Sequence, residues 1–144
     1  MWASNTKHFS GRSAGQAWVE FGLVLPVLLI VAIGLYDVGR AFYTLIVVTN
    51  ASREGARYLT LHPDDSTNTP AFTDTKWAAM TEASNSFITL TSGNVSVSSC
   101  VQDDAIPGCD TGTSILVTVT HSYRPVFWAP FNITLTRSTR MMVP

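Results

Sequence analysis

An uncharged apolar run near the N-terminus constrains this chain more than any other feature. Residues 21–36, FGLVLPVLLIVAIGLY, carry no charge. As a helix they cover about 24 Å, less than the ~30 Å hydrocarbon core of a bilayer. Starting at Ala17 extends the segment to about 30 Å, although it then includes Glu20. Only 13% of all residues are charged, about half of what soluble domains carry, and the sequence therefore predicts a transmembrane helix over 17–36.

A cleaved secretory signal is the alternative interpretation of the same run. Such a signal has an apolar region of about 7–15 residues followed by a small-residue cleavage site. Here the run is longer, and the residues that follow it are Asp37, Val38, Gly39 and Arg40. We therefore expect a retained helix.

The charges are divided unevenly between the two sides of this segment. Residues 1–15 contain Lys7 and Arg12 and no acidic residue, whereas the rest of the chain is net acidic. A short basic head before an apolar helix stays in the cytoplasm, so the sequence predicts a cytoplasmic leader over 1–15 and an extracytoplasmic C-terminus. The overall net charge of −1 offers no basic field for nucleic acid.

The helix is expected to continue well beyond the membrane. No proline occurs between Pro26 and Pro63, and a helix from about Gln16 to Leu61, within a segment of 16–62, would be about 69 Å long. Its outer half carries one stripe of residues at alternating four- and three-residue steps. The members of this stripe are Val38, Phe42, Leu45, Thr49, Ser52, Ala56 and Leu59. The stripe needs a partner, either the chain's own C-terminal domain or another subunit.

Small and charged residues alternate within the same outer half. Ala51 with Gly55, and Ser52 with Ala56, are small residues four apart, which suits close helix contact. Between and after them come Arg53, Glu54 and Arg57. Glu54 and Arg57 can pair at i,i+3. These charged residues either form a solvated face or anchor the helix to the domain or a neighbour.

Residues 63–144 are predicted to form a small α+β domain outside the membrane. Residues 63–73 are rich in turn formers, and 74–91 predict a second helix with Thr73 or Asp74 as its cap. The face expected to pack comprises Trp77, Met80, Thr81, Ser84, Phe87 and Ile88. Alternating residues after Val95, over 115–124 and after Ile133 predict a three-stranded antiparallel sheet.

The chemistry-bearing residues of this domain are few. Cys100 and Cys109 are the only cysteines, and outside the cytoplasm we expect them to form a disulfide; a two-thiol metal site has no suitably spaced partner. No catalytic constellation is recognisable, so no enzyme activity, cofactor, metal or small-molecule substrate is predicted. The aromatic and proline-rich stretch 125–131 either covers the sheet or forms a docking patch.

Glu20 is the one carboxylate inside the predicted span, where a charge is costly; it either lies in the headgroup region or has a specific role. Its surroundings, Gly15-Gln16-Ala17-Trp18-Val19-Glu20-Phe21, resemble the processing site of type IV prepilins. In that family a basic leader ends in glycine and glutamate stands fifth after the cut. The resemblance implies that Gly15 ends the leader, that Gln16 begins the mature chain, and that Glu20 pairs with the α-amino group of a neighbouring subunit and sets its register.

Further motifs narrow the resemblance to the TadE-like pseudopilins of tight-adherence (Tad) pilus systems. These motifs are Leu25-Pro26-Val27-Leu28-Leu29, Gly39-Arg40-Ala41-Phe42, Thr49-Asn50-Ala51-Ser52-Arg53-Glu54-Gly55-Ala56-Arg57-Tyr58 and the segment Ile115–Thr120. The resemblance implies a pilin-like fold and a non-enzymatic role in pilus assembly at the bacterial inner membrane. It also implies other pilins, a platform protein and the prepilin peptidase as partners. The alternative hypothesis is an uncleaved, single-span accessory subunit of a larger membrane complex.

Overall fold

The protein was analysed as a computed structural model, which describes residues 13–67, 72–101, 112–127 and 130–144. The elements are helix α1 (Ser13–Leu61), a 3₁₀ turn (Pro63–Thr67), helix α2 (Thr73–Asn85), a second 3₁₀ turn (Ser92–Asn94) and strands β1 (Val95–Val101), β2 (Ser114–Tyr123) and β3 (Ile133–Met142). The predicted α+β class, with one long helix, one short helix and a three-stranded antiparallel sheet, is confirmed. The chain divides into two units, one ending at Tyr36 and one running from Asp37 to Pro144.

The N-terminal unit is described as the first part of α1. Its large apolar side chains are exposed, from Trp18 to Tyr36. The most apolar 18-residue window of α1 has a mean hydropathy of 2.4, and none of that window is buried. A core helix of a soluble protein would bury such a surface. A long apolar helix that is left uncovered suggests insertion into a membrane.

The C-terminal unit, residues 37–144, is built around strand β2. The sheet order is β1-β2-β3 and both pairings are antiparallel. Alternate residues of β2 (Ile115, Val117 and Val119) are fully buried, as expected for a strand with one face on a core. Val117 lies opposite Val97 in β1 and Thr139 in β3.

The outer half of α1 packs across the buried face of this sheet. Val48 and Ala51 of α1 join Val117 and Val119 of β2 in one core cluster. A second cluster, farther along the helix, joins Leu59 to Ile115 and Val143. The hydroxyls of Ser52 and Thr139 also lie 2.7 Å apart. The partner of the outer helix is therefore the chain's own C-terminal unit.

The predicted stripe of α1 is correct at its outer end and wrong at its inner end. Ser52, Ala56 and Leu59 are buried, whereas Val38 and Phe42 are 52% and 63% exposed. The buried positions at the inner end are the polar residues Asp37 and Thr44, for which a hydrophobic pattern has no signal. Successive residues lie about 100° apart around a helix. Because Asp37 is buried and its neighbour Val38 is not, the observed contact face is rotated away from the apolar residues of the predicted stripe.

Helix α2 is shorter than predicted and uses a different face. It ends at Asn85, two residues before Phe87, which has a φ of +58° and is 96% exposed. The buried residues are small: Thr75, Ala78, Ala79 and Ala83. Trp77, expected to pack, is 62% exposed. The buried side chains of α2 are small because α2 approaches α1 closely at Gly55, where a Cβ atom would lie 3.2 Å from the Cβ of Ala79.

The N-terminus of α2 is capped from a distance. The predicted caps, Thr73 and Asp74, are wrong, because Phe72 holds the N-cap position in left-handed backbone and makes no side-chain cap bond. Instead the buried carboxylate of Asp65, in the first 3₁₀ turn, accepts hydrogen bonds from the backbone N–H (2.9 Å) and the hydroxyl of Thr75. A carboxylate at the N-terminus of a helix also interacts favourably with the helix dipole.

Candidate functional site

The residues predicted to form the processing site lie together at the start of α1. Gly15 has no other atom within 4 Å of a built Cβ. One turn apart, the Gln16 side-chain amide donates a 3.0 Å hydrogen bond to a carboxylate oxygen of Glu20. Both side chains are exposed, so this end of α1 presents its one carboxylate at the surface.

The small-residue block of α1 is buried inside the C-terminal unit. Ala51, Ser52 and Ala56 are fully buried, and Gly55 is buried where α1 meets α2 and β2. These four residues therefore make close contact within the chain, the first of the two alternatives that the sequence left open.

The charged residues of the same block point outward. Arg53 and Arg57 are exposed, and the Arg57 Nε atom lies 3.3 Å from a carboxylate oxygen of Glu54, as the i,i+3 spacing predicts. A shallow surface groove runs along this face of α1 toward β3. Its walls comprise Asn50, Arg53, Glu54, Arg57, Glu82 and Met141, continued by Leu45, Ile46, Thr49 and Arg137.

Asp37 joins the start of the C-terminal unit to the segment after β2. It is 5% exposed, and its two carboxylate oxygens accept hydrogen bonds from the backbone N–H groups of Val126 (3.0 Å) and Phe127 (2.8 Å). The Asp37 backbone carbonyl accepts a 2.9 Å bond from the Tyr123 hydroxyl. The Arg40 guanidinium lies 5.6 Å from the centre of the Tyr123 ring. We call these four residues, Asp37, Tyr123, Val126 and Phe127, the Asp37 clamp.

The clamp holds Asp37 in its charged form. The backbone N–H groups of Phe127 and Val126 lower the pKa of Asp37 below its ordinary value, and the nearby Arg40 charge acts in the same direction against the opposing effect of burial. A carboxylate whose pKa is lower in the folded state stabilises the fold at and above its ordinary pKa. That contribution is lost as the pH falls through the lowered value.

Asp37→Asn is expected to loosen the segment after β2. The substitution removes the charge and one of the two acceptor oxygens, so the amides of Val126 and Phe127 should exchange with solvent faster at neutral pH. In the parent protein, protection of these amides should hold from neutral pH down to about the ordinary pKa of 3.8 and fall only below it. Hydrogen exchange with mass spectrometry measures both effects.

Asp74→Asn, which changes an exposed carboxylate elsewhere in the unit, is the matched control and should leave both amides unaffected. Equal protection of the Val126 and Phe127 amides in Asp37→Asn and the parent would contradict the assignment of Asp37 as a clamp.

The opposite end of the unit is acidic. Burial of Tyr58 raises the pKa of its phenol, and the carboxylates of Asp74, Asp65 and Asp64 raise it further. The ring stacks on His62 with 4.4 Å between centroids. Tyr58 therefore stays protonated at neutral pH.

Two predictions concern residues that the structure does not describe in full. Cys109 lies outside the described residues, as do Trp128 and Ala129 of the aromatic stretch, and nothing is described of the Cys100 side chain. The disulfide therefore stays a prediction. Among the residues that the structure describes, no three His, Cys, Asp or Glu side chains are grouped as a metal site would require.

The comparisons with known proteins agree with the motifs of α1. A protein-family model described as TadE-like protein matches residues 15–57. Neither the curated proteins nor the solved structures contain a match to this chain. The matched region begins at Gly15 and ends at Arg57, and so takes in both the Gly15–Glu20 spacing and the small-residue block. Residues 15–57 are therefore similar to TadE-like proteins, as the motifs predict.

Proposed function

We propose that the protein is a non-enzymatic pseudopilin, or minor pilin-like component, of a Tad-type pilus assembly system. The chain inserts into the bacterial inner membrane through residues 17–36 with its N-terminus in the cytoplasm, and the prepilin peptidase cuts after Gly15. The C-terminal unit then lies outside the cytoplasm. The observation that carries this proposal is the start of the TadE-like match at Gly15, five residues before the carboxylate of Glu20 in an otherwise apolar helix.

Glu20 acts in assembly. Its carboxylate is exposed on α1 and accepts a hydrogen bond from the Gln16 side chain one turn away, so it is accessible to another chain. Cleavage after Gly15 gives Gln16 a free α-amino group, which is a cation at neutral pH. In the low dielectric of packed helices, the ammonium of one subunit compensates the carboxylate of the next and fixes their register.

Subunit packing uses the outward face of α1. The small residues that would allow the closest helix contact are buried within the chain, whereas Val38, Phe42 and Ile46 are 52%, 63% and 58% exposed. Other pilins or subunits of a membrane complex are the partners of this face, and Arg53 and Arg57 extend it with charge. A Cys100–Cys109 disulfide stabilises the outer domain.

Intact mass and N-terminal sequencing of the protein from its native membrane test the processing. We expect a chain beginning at Gln16. Gly15→Leu should retain the leader, because it removes the glycine on which the resemblance to the cut site rests. The fold should be unaffected, because no described atom beyond the chain neighbours and the helix's own backbone lies within 4 Å of a Cβ built at this position. Gly22→Leu is the matched control, equally unhindered and in the same helix, and should be cut normally.

A chain that starts at Met1 or Trp2 in every preparation would contradict the pseudopilin assignment. That result would instead favour the uncleaved accessory subunit, which should copurify in fixed ratio with its membrane complex.

A further inference from the structure

We propose that the segment joining β2 to β3 is a second membrane contact, seated in the headgroup layer of the extracytoplasmic leaflet. The inference rests on the proposed membrane topology and adds to it a surface of the C-terminal unit. Its residues are the exposed apolar side chains Val126, Phe127, Phe131 and Ile133, with Arg124 beside them. We call this set the interfacial patch.

Asp37 holds the backbone of the interfacial patch in place. Asp37 is covalently the next residue after the apolar run that ends at Tyr36, so it emerges wherever that run leaves the hydrocarbon. Both carboxylate oxygens of Asp37 bind the backbone of Val126 and Phe127. The backbone of the patch is therefore fixed within hydrogen-bond distance of the residue that leaves the membrane.

Ile133 of the interfacial patch is also connected to Asp37, through Tyr123. Ile133 pairs with Tyr123 across the sheet, and the Tyr123 hydroxyl bonds the Asp37 backbone. The end of the β2–β3 hairpin is thus tied to the same point on α1. The opposite end of β3, at Met142, lies nine residues farther along the strand, or about 30 Å away.

The side chains of the interfacial patch are mostly apolar and exposed. The side chains are 61% exposed at Val126, 44% at Phe127, 64% at Phe131 and 47% at Ile133, although water disfavours such a concentration of apolar surface. Exposed phenylalanine and aliphatic residues beside basic residues are typical of segments that lie in the membrane interface, where the apolar side chains reach the boundary between headgroups and acyl chains and the guanidinium stays among the headgroups. Arg124 and Arg40 are both exposed here.

A lipid photocrosslinking experiment on the full chain tests the patch. The protein is reconstituted in nanodiscs of phosphatidylethanolamine and phosphatidylglycerol, with benzoylphenylalanine in place of either Val126 or Phe131. We expect lipid adducts at both positions, several-fold above the yield at Met142, the matched control. Met142 is 73% exposed and apolar but lies at the far end of the same strand. In an Asp37→Asn background the yield at Val126 should fall toward that of Met142.

A fourth probe separates this inference from the topology on which it rests. Leu28, inside the apolar run, should label with lipid if the helix spans the bilayer. Labelling at Leu28 with no excess at Val126 and Phe131 over Met142 would overturn the interfacial patch alone, and so would adducts at these positions to protein rather than lipid. Absence of lipid adducts at Leu28 would overturn the membrane-spanning segment and the patch together.

Discussion

Gly55→Leu should unfold the C-terminal unit or leave it severely destabilised. Already the first side-chain atom at this position would lie 3.2 Å from the Ala79 Cβ, 3.3 Å from the Val117 Cγ1 and 3.4 Å from the Thr75 carbonyl oxygen. These neighbours belong to α2 and β2, and both elements would have to move away from α1 to make room for a larger side chain. Overpacking typically costs about 1–3 kcal/mol and occasionally more. We expect at least about 3 kcal/mol here, because three elements must separate for the remaining carbons.

The control for this prediction is Gly39→Leu. Gly39 is an exposed helical glycine of the same unit with nothing within 4 Å of a built Cβ, so the substitution should gain up to about 1 kcal/mol of helix propensity. Urea unfolding of the full chain in detergent, followed by amide protection of β2, measures both variants. Similar midpoints for the two leucine variants would show that α1 and α2 do not need close approach.

Asp65→Ala should give the second largest loss, about 3 kcal/mol, since hydrogen bonds to a charged group contribute about 1.5–3 kcal/mol each and a buried donor is left unpaired. The Asp65 carboxylate binds both the backbone N–H and the hydroxyl of buried Thr75. Its removal uncaps α2, the helix that covers Gly55. The free energy of unfolding from urea titration is the measurement.

Asp64→Ala is the matched control for Asp65→Ala, because Asp64 is the exposed neighbour in the same turn. Surface substitutions of this kind usually change stability by less than about 0.5 kcal/mol. A loss for Asp64→Ala as large as that for Asp65→Ala would point to the charge of the acidic turn rather than to the cap. Thr75→Val should follow Asp65→Ala in direction, since it removes the hydroxyl that donates to the same carboxylate.

The periodicity of the sequence was sufficient for the main elements. The end of α1 at Leu61, the alternation of Ile115, Val117 and Val119, and the three-stranded sheet all follow from local pattern. In these segments the buried residue is also the apolar residue, so hydropathy and burial carry the same information. The TadE-like match likewise falls on the motifs that the sequence displays around Gly15 and in the block before Tyr58.

The polar contacts could not be predicted from the periodicity of the sequence. Asp37 and Asp65 are buried because they bind backbone groups 89 and 10 residues away, and no local pattern marks a carboxylate that will meet a distant amide. The packing face of α2 was missed for a related reason. Trp77 has a much larger apolar surface than Ala79, but the contact is decided by the absent side chain of Gly55 on another helix.

The joining of Ser52 to Thr139, 87 residues later in the chain, has a consequence for biogenesis. With Val143 packed on Leu59, the first and last segments of the C-terminal unit complete one another. Under the proposed topology, the outer half of α1 emerges early during export and remains uncovered until the final strand has crossed the membrane. Every chain thus passes through a stage in which a small-residue helix face, the kind that associates most readily with other helices, is exposed beside its neighbours. Folding and premature assembly then compete for the same surface, and export of β3 decides the outcome.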